Sequence, residues 1–356
     1  MGERINLAIW MKKYNRWQIK VRKDGVRRTF TCPTPGTKGQ KECQKKADAW
    51  LDEGIINSSV KVLKLYAKWI EELKLSTSTD HWTQYNRYFD NYIKSKIGNK
   101  KVGNITEQDM QDVIFYAHKI GNKKTGLSEK TLKNIRACLM AFIKYARKNK
   151  CTTMYPEDLR IPKNAAKSTR SSLQPHDIEI LFQCATTQIN NHIIPEWYIY
   201  AYRFQAVTGL RPGELFGLQQ NDIKNNCCVI CRSINVHNEI TGGKNKNALR
   251  SFILPEIALE ILKNQKDMLN SEKIISPYIF CGIDGKHANP QKYYRQWIRY
   301  CNHNGISHHS PYELRHTFFS INKSIPSELI KPMGGHSKSF DTFKTYGHEL
   351  NGEAQL

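Results

Sequence analysis

Between Ser58 and Pro162 the sequence leaves few folds open. Four segments there, VKVLKLYAKWIEELK, HWTQYNRYFDNYIKSKI, EQDMQDVIFYAHKI and SEKTLKNIRACLMAFIKYARKNK, repeat apolar residues every three or four positions. That spacing puts one apolar stripe on each helix, and four such stripes leave water only by packing on one another. Ser58, Thr106 and Ser128 stand where N-caps belong, and Glu107 and Glu129 supply acid to the first turns. A helical domain is expected over residues 58–162.

The flanks have a different grain. Residues 1–57 contain RWQIKVRKDGVRRTFTC, whose alternation on either side of Asp24-Gly25 predicts a β-hairpin. The stretch LAIWM offers a third strand, and KGQKECQKKADAWLDEG reads as a helix closed by Gly54. Arg16, Lys20, Arg22, Lys23, Arg27 and Arg28 crowd that hairpin. Past the helices, RIPKNAAKSTRSS lacks periodicity and predicts a linker over 163–172, basic at Lys163, Lys167 and Arg170. A last domain is expected over 173–356, opening on a helix led by Pro175.

A chain of 356 residues has room for two or three domains and an ample core. Its formal net charge of +23 would only add self-repulsion without a polyanionic partner, and nucleic acid fits best. No apolar run reaches the roughly 18 residues of a spanning helix, and no convincing signal peptide precedes the first domain, so a cytoplasmic protein is expected. Ten scattered cysteines suit a reducing compartment better than a disulfide framework. Cys227, Cys228 and Cys231 lack a second pair at ligand spacing except the isolated His237, so they read as a buried strand with Val229 and Ile230 and no metal is expected.

The chemistry concentrates near the C-terminus. In SPYELRHTFFSINKSIPSELIKPMGGHSKSFDTFKTYGH, Tyr312 and Arg315 share a helix face, with Leu314, Phe318 and Ile321 at helical spacing. His336 follows two glycines that permit a tight turn, and Tyr346 comes ten residues later. Upstream stand AVTGLRPGELFGLQQNDI around Arg211 and TGGKNKNALRSFILP, where Arg250, Phe252 and Leu254 mark a returning strand. In this order, YELRHTF, MGGHSKS, DTFKTYGH and TGLRPGEL resemble the boxes of the tyrosine recombinases, the phage and conjugative-transposon integrase family. The first box there opens with His or Lys, where this chain has Tyr312.

The resemblance implies a multidomain, mainly α protein. A small three-stranded β-sheet with a helix would bind arm-type DNA, a helical core-binding domain would clamp the core site, and a mixed α+β domain would catalyse. Lys123, Lys124, Lys130 and Lys133, near helix ends and turns, would meet phosphates together with the hairpin and linker cations. It implies an enzyme needing neither metal nor ATP, in which the Tyr346 oxygen attacks a DNA phosphodiester, forms a 3′-phosphotyrosyl bond and frees a 5′-hydroxyl. Arg211 and Arg315 would hold the phosphorane oxygens, because a planar fork binds two oxygens and stays charged. Lys244 would protonate the leaving 5′-oxygen, with Lys246 in the same loop as the other candidate. His336 would donate to a non-bridging oxygen and Tyr312 one neutral hydrogen bond, while Glu214 and His316 would support the arginines. The implied setting is a homotetramer on two synapsed sites in a bacterial host, bound to the nucleoid when engaged, with an excisionase and a host DNA-bending protein as further partners. The competing readings are a type IB topoisomerase and a catalytically inactive DNA-binding regulator.

Overall fold

The computed structural model describes residues 7–23, 26–52, 58–121, 126–167, 171–242, 249–307 and 310–335. They fall into two compact units, Met1–Ser168 and Thr169–Leu356.

The first unit opens with an antiparallel sheet of β1 (Ile9–Met11), β2 (Arg16–Lys23) and β3 (Val26–Cys32), followed by α1 (Gly36–Asp52). LAIWM does supply the third strand, with Trp10 opposite Trp17. In β2 and β3, Arg22 faces Arg27 and Lys20 faces Thr29, whereas Val21 faces Arg28 and Ile19 faces Phe30. Directly opposed residues share a face, so the hairpin cations divide. Lys20, Arg22 and Arg27 lie on the face away from the Ile19 core, and Arg28 lies over Phe30 and Trp50. Asp24, Gly25 and Gly54 lie outside the described residues.

The helices of this unit are α2 (Val62–Ser76), α3 (Thr79–Tyr88), α4 (Lys94–Ile97), α5 (Glu107–Ile120) and α6 (Glu129–Lys148), with a π-turn over Phe89–Ile93 between α3 and α4. Their stripes meet in one core, where Tyr66 stacks on Phe89 at 4.0 Å and Trp69 packs on Phe142. Thr106 caps α5 in a box with Asp109, and Ser128 caps α6. Ser58 is no cap. α2 starts at Val62, and the Ser58 carbonyl instead accepts from Gly103 N–H.

The expected linker is packed at both ends. Ala165 joins the helical core, and the Ala166 carbonyl caps Glu129 N–H. Beyond the undescribed residues 168–170, Ser172 and Leu173 are fully buried in the second unit, and Leu173 N–H donates to Thr317 Oγ1.

The second unit starts with α7 (Pro175–Gln183) and a hairpin of β4 (Thr186–Ile189) and β5 (His192–Pro195). Asn190 and Asn191 both take positive φ, as a two-residue hairpin turn requires. Then come α8 (Ile199–Thr208), α9 (Pro212–Gly217), β6 (Ile223–Lys224), β7 (Cys227–Ile230), β8 (Ser233–Ile234), β9 (Ile240–Thr241), β10 (Arg250–Ile253), α10 (Glu256–Ser271), α11 (Pro290–Asn304), α12 (Pro311–Ile321) and α13 (Ser327–Gly334). The returning strand expected through Arg250 and Phe252 is β10, which runs against β7, while β9 pairs with β8. The cysteine strand is only half buried, since Cys228 and Ile230 face the core while Val229 is exposed. Of the apolar residues at helical spacing in α12, Leu314 and Phe318 are buried and Ile321, at its end, is exposed. The core of the unit gathers Tyr202, Phe204, Tyr293, Trp297 and Tyr300 around α8 and α11.

Candidate active site

The site begins at one turn. α8 ends at Gly209, whose φ of +66° suits glycine, and a Cβ there would lie 2.3 Å from the Phe318 ring. The chain then delivers Arg211 as the residue preceding α9, with Pro212 in the first turn. Glu214 closes that turn by accepting Arg211 N–H at 3.0 Å and Arg211 Nη1 at 2.8 Å.

Glu214 is shared. Arg250, at the start of β10, places its fork on the same carboxylate, Nη1 at 3.0 Å from Oε1 and Nη2 at 2.8 Å from Oε2. Burial alone would raise the Glu214 pKa, yet the hydrogen bonds and charge of Arg250, with the charge of Arg211, hold it down at about 2. It is therefore a fixed anion at any working pH. Arg250 also donates from Nε to the Met333 carbonyl at 2.8 Å.

Arg315 approaches from α12. Although wholly buried, it donates from Nη1 to the Gly209 carbonyl at 2.6 Å and from Nη2 to the Gly334 carbonyl at 2.7 Å, and it stacks 5.1 Å over Phe319. The last two carbonyls of α13 thus each receive an arginine, and Gly335 follows at φ +63°. These glycines close a helix in the chain just ahead of His336. Of the two expected arginines, Arg211 is the open one, with 34% of its side chain exposed. Two guanidinium groups share the one Glu214 carboxylate and Arg315 sits on the turn beside them, so the cluster is net positive, which suits an anionic oxygen near Arg211.

The other expected residues fall as follows. Tyr312 is half-buried beside the Phe318, Phe319 and Ile330 cluster, and His316 is fully buried 5.7 Å from the Tyr312 ring. Lys244, Lys246, His336 and Tyr346 lie outside the described residues, as do Lys123, Lys124 and Arg170. In the first unit Lys130, Lys163 and Lys167 are exposed, and Lys133 pairs with Glu129. Arg16 lies over Tyr14 at 5.2 Å.

Sequence reasoning used Arg250 only to mark a strand. One signal was present: a cation sharing a strand face with Phe252 and Leu254 is buried, and a buried cation demands a partner. No group of three or more His, Cys, Asp or Glu residues among the described residues could hold a metal ion, and no described helix is long and apolar enough to cross a membrane.

Comparison with known proteins places this arrangement. A tyrosine recombinase XerC-like protein of Caldanaerobacter subterraneus subsp. tengcongensis is 22% identical over 394 residues, covering 98% of this chain and 96% of that one. The Tn1549 transposon integrase, solved with transposon right end DNA, superposes with a TM-score of 0.65 at 19% identity, over 83% of this chain and 98% of that chain. A lambda integrase tetramer bound to a Holliday junction gives 0.61 at 16% identity, over 98% and 99%. A phage integrase N-terminal SAM-like domain matches residues 62–118. The phage integrase family model matches residues 171–353, more than half of the chain, and spans every box from Arg211 to Tyr346, so this chain belongs to the phage integrase family of tyrosine recombinases.

Proposed function

We propose that this chain is a site-specific DNA recombinase that cuts and rejoins duplex DNA through a 3′-phosphotyrosyl intermediate, integrating and excising a mobile element. One observation carries the reading. Arg315 reaches the turn that presents Arg211, joining groups 106 residues apart in the chain at a single net-positive cluster. Such preorganised donors stabilise charge that develops on a phosphorane without reorganising during the reaction. Arg211 offers its open fork to a non-bridging oxygen, and Arg315, buried on the Gly209 and Gly334 carbonyls, fixes the turn that presents Arg211 and adds its charge. Lys244 or Lys246 protonates the leaving 5′-oxygen, His336 assists, and the Tyr346 oxygen attacks. Tyr312 adds a neutral hydrogen bond. The exchange conserves the phosphodiester energy and needs neither metal nor nucleotide.

Residues 1–57 would bind arm sites and 58–162 clamp the core site, with 163–172 joining them to the catalytic domain over 173–356. The complexes of the Tn1549 integrase with transposon end DNA and of the lambda integrase tetramer with a Holliday junction support a tetramer on two synapsed duplexes. An excisionase and a host bending protein would set direction in the bacterial cytoplasm.

The test uses nicked duplexes made from the DNA that flanks this coding sequence. Wild type should leave an adduct that survives denaturing detergent, Tyr346→Phe should leave none, and Tyr312→Phe should still form one, slowed by up to a few tens of fold. An adduct that persists in Tyr346→Phe and maps to Tyr312 would overturn the mechanism. Relaxation of supercoiled circles without any strand exchange between duplexes would instead favour the topoisomerase.

A further inference from the structure

Three parts of the second unit that are remote in sequence end on one side chain. Arg250 stands at the exit of the lysine loop, its terminal nitrogens fork onto Glu214 of the Arg211 box, and its Nε reaches the backbone of α13. Its side chain is 7% exposed and that of Glu214 5%, so both bonds to the carboxylate are shielded from water. The geometry points to Arg250 as a positioning residue of the recombination reaction, holding the Arg211 turn, the start of β10 and the end of α13 in one register. This inference rests on the recombinase reading for its effect on rate, but not for its effect on α13.

The donor chemistry explains why arginine stands here. A planar guanidinium can offer two parallel donors to one carboxylate and a third, from Nε, in another direction, whereas a lysine ammonium is a point donor on a flexible stem. Arg250 shares its strand face with Phe252 and Leu254, so an apolar side chain would pack there with no desolvation cost. The cation instead spends its burial on two anchored partners. Arg315 makes the matching contact one residue further along α13, at the Gly334 carbonyl. Arg250 and Arg315 thus fix adjacent carbonyls from opposite elements, and neither can shift without moving the turn at Gly209 to Glu214.

Full-length Arg250→Met, Arg250→Ala and Arg250→Lys proteins test this, with methionine included because it fills the apolar face if alanine fails to fold. Two readouts are taken: the rate constant and amplitude of adduct formation on the nicked duplexes, and amide hydrogen exchange of α13 peptides against α10 peptides. In Arg250→Met the rate constant should fall about a hundredfold, the size expected for reacting groups misplaced by about 1 Å. Amplitude and DNA affinity should hold, α13 should exchange faster, and α10 should not change. Lysine should recover part of the rate. A merely structural arginine would lower the amplitude and leave the rate constant of the surviving molecules intact, which overturns the proposal, as does unchanged exchange in α13. If wild type forms no adduct the recombinase reading falls, and the exchange of α13 then decides alone whether Arg250 ties these parts together.

Discussion

In the first unit the described buried polar side chains are Gln111 and Thr152, whereas the second unit buries Asp177, Glu196, Gln205, Glu214, Asp222, Gln265, Arg315 and His316 along with several hydroxyls. The helical core of the first unit is aliphatic and aromatic, with Leu132, Ile135, Leu139 and Phe142 of α6 at its centre. Its stability comes from packing, which is indifferent to pH and tolerant of volume-conserving change. The second unit holds ionised groups out of water, and each survives only because a partner is fixed beside it. On the function proposed above, the contrast has a reason: a surface that grips DNA can be built from exposed lysines on a packed scaffold, whereas a site that holds a phosphorane needs charges whose partners are set before the substrate arrives.

This contrast can be broken in several ways. The largest effect is expected from Glu214→Gln, which leaves two guanidinium groups without their anion and should cost the second unit about 3–5 kcal/mol. Hydrogen exchange resolved by peptide should show the loss there and leave α2 to α6 unchanged. A uniform loss across both units would mean that they do not differ as described. The converse is Leu139→Ala in α6, where a cavity should cost about 3 kcal/mol in the first unit. The rate of adduct formation at saturating protein should stay at the wild-type value.

The pH dependence separates two carboxyls of the second unit. Burial pushes Glu196 up to about 7, with hydrogen bonds from Tyr198 N–H and Tyr202 Oη lowering it only in part. Its folded pKa lies above the ordinary value of 4.5, so its contribution is complete below that pH and is lost as pH rises towards 7. Glu214 runs the other way: its contribution is present above 4.5 and is lost as pH falls towards 2. Glu196→Gln should therefore stabilise the second unit by about 3 kcal/mol at pH 8 and by almost nothing at pH 4.5. Urea titrations at the two pH values measure this, and an equal gain at both would show that packing and not ionisation is responsible. The smallest effect belongs to Thr106→Ala, which removes a cap from α5 and should cost about 1 kcal/mol, confined to peptides of that helix.

Much of the architecture was legible because it depends on short-range periodicity. The stripes of α2, α5 and α6, the caps at Thr106 and Ser128 and the alternation of β2 and β3 depend on neighbours a few residues away. The β4–β5 hairpin was missed although Asn190-Asn191 could signal it, because no strongly alternating strands flank the pair. Ser58 failed as a cap because the cap position of α2 is Lys61, three residues further on, which leaves the first-turn N–H groups out of reach of the Ser58 hydroxyl.

By itself the sequence determined the family, the order of its boxes and the residue types that the chemistry needs, since each box is a local pattern. Only the tertiary structure decided which groups those residues meet. That Glu214 is shared by Arg211 and Arg250, that Arg315 is buried on the carbonyls of Gly209 and Gly334, and that β10 pairs with β7 and not with β9 are all contacts between distant segments. Hydrogen-bond partners of a buried cation are chosen by the packing of whole elements, and a backbone carbonyl that accepts from an arginine carries no mark in the sequence.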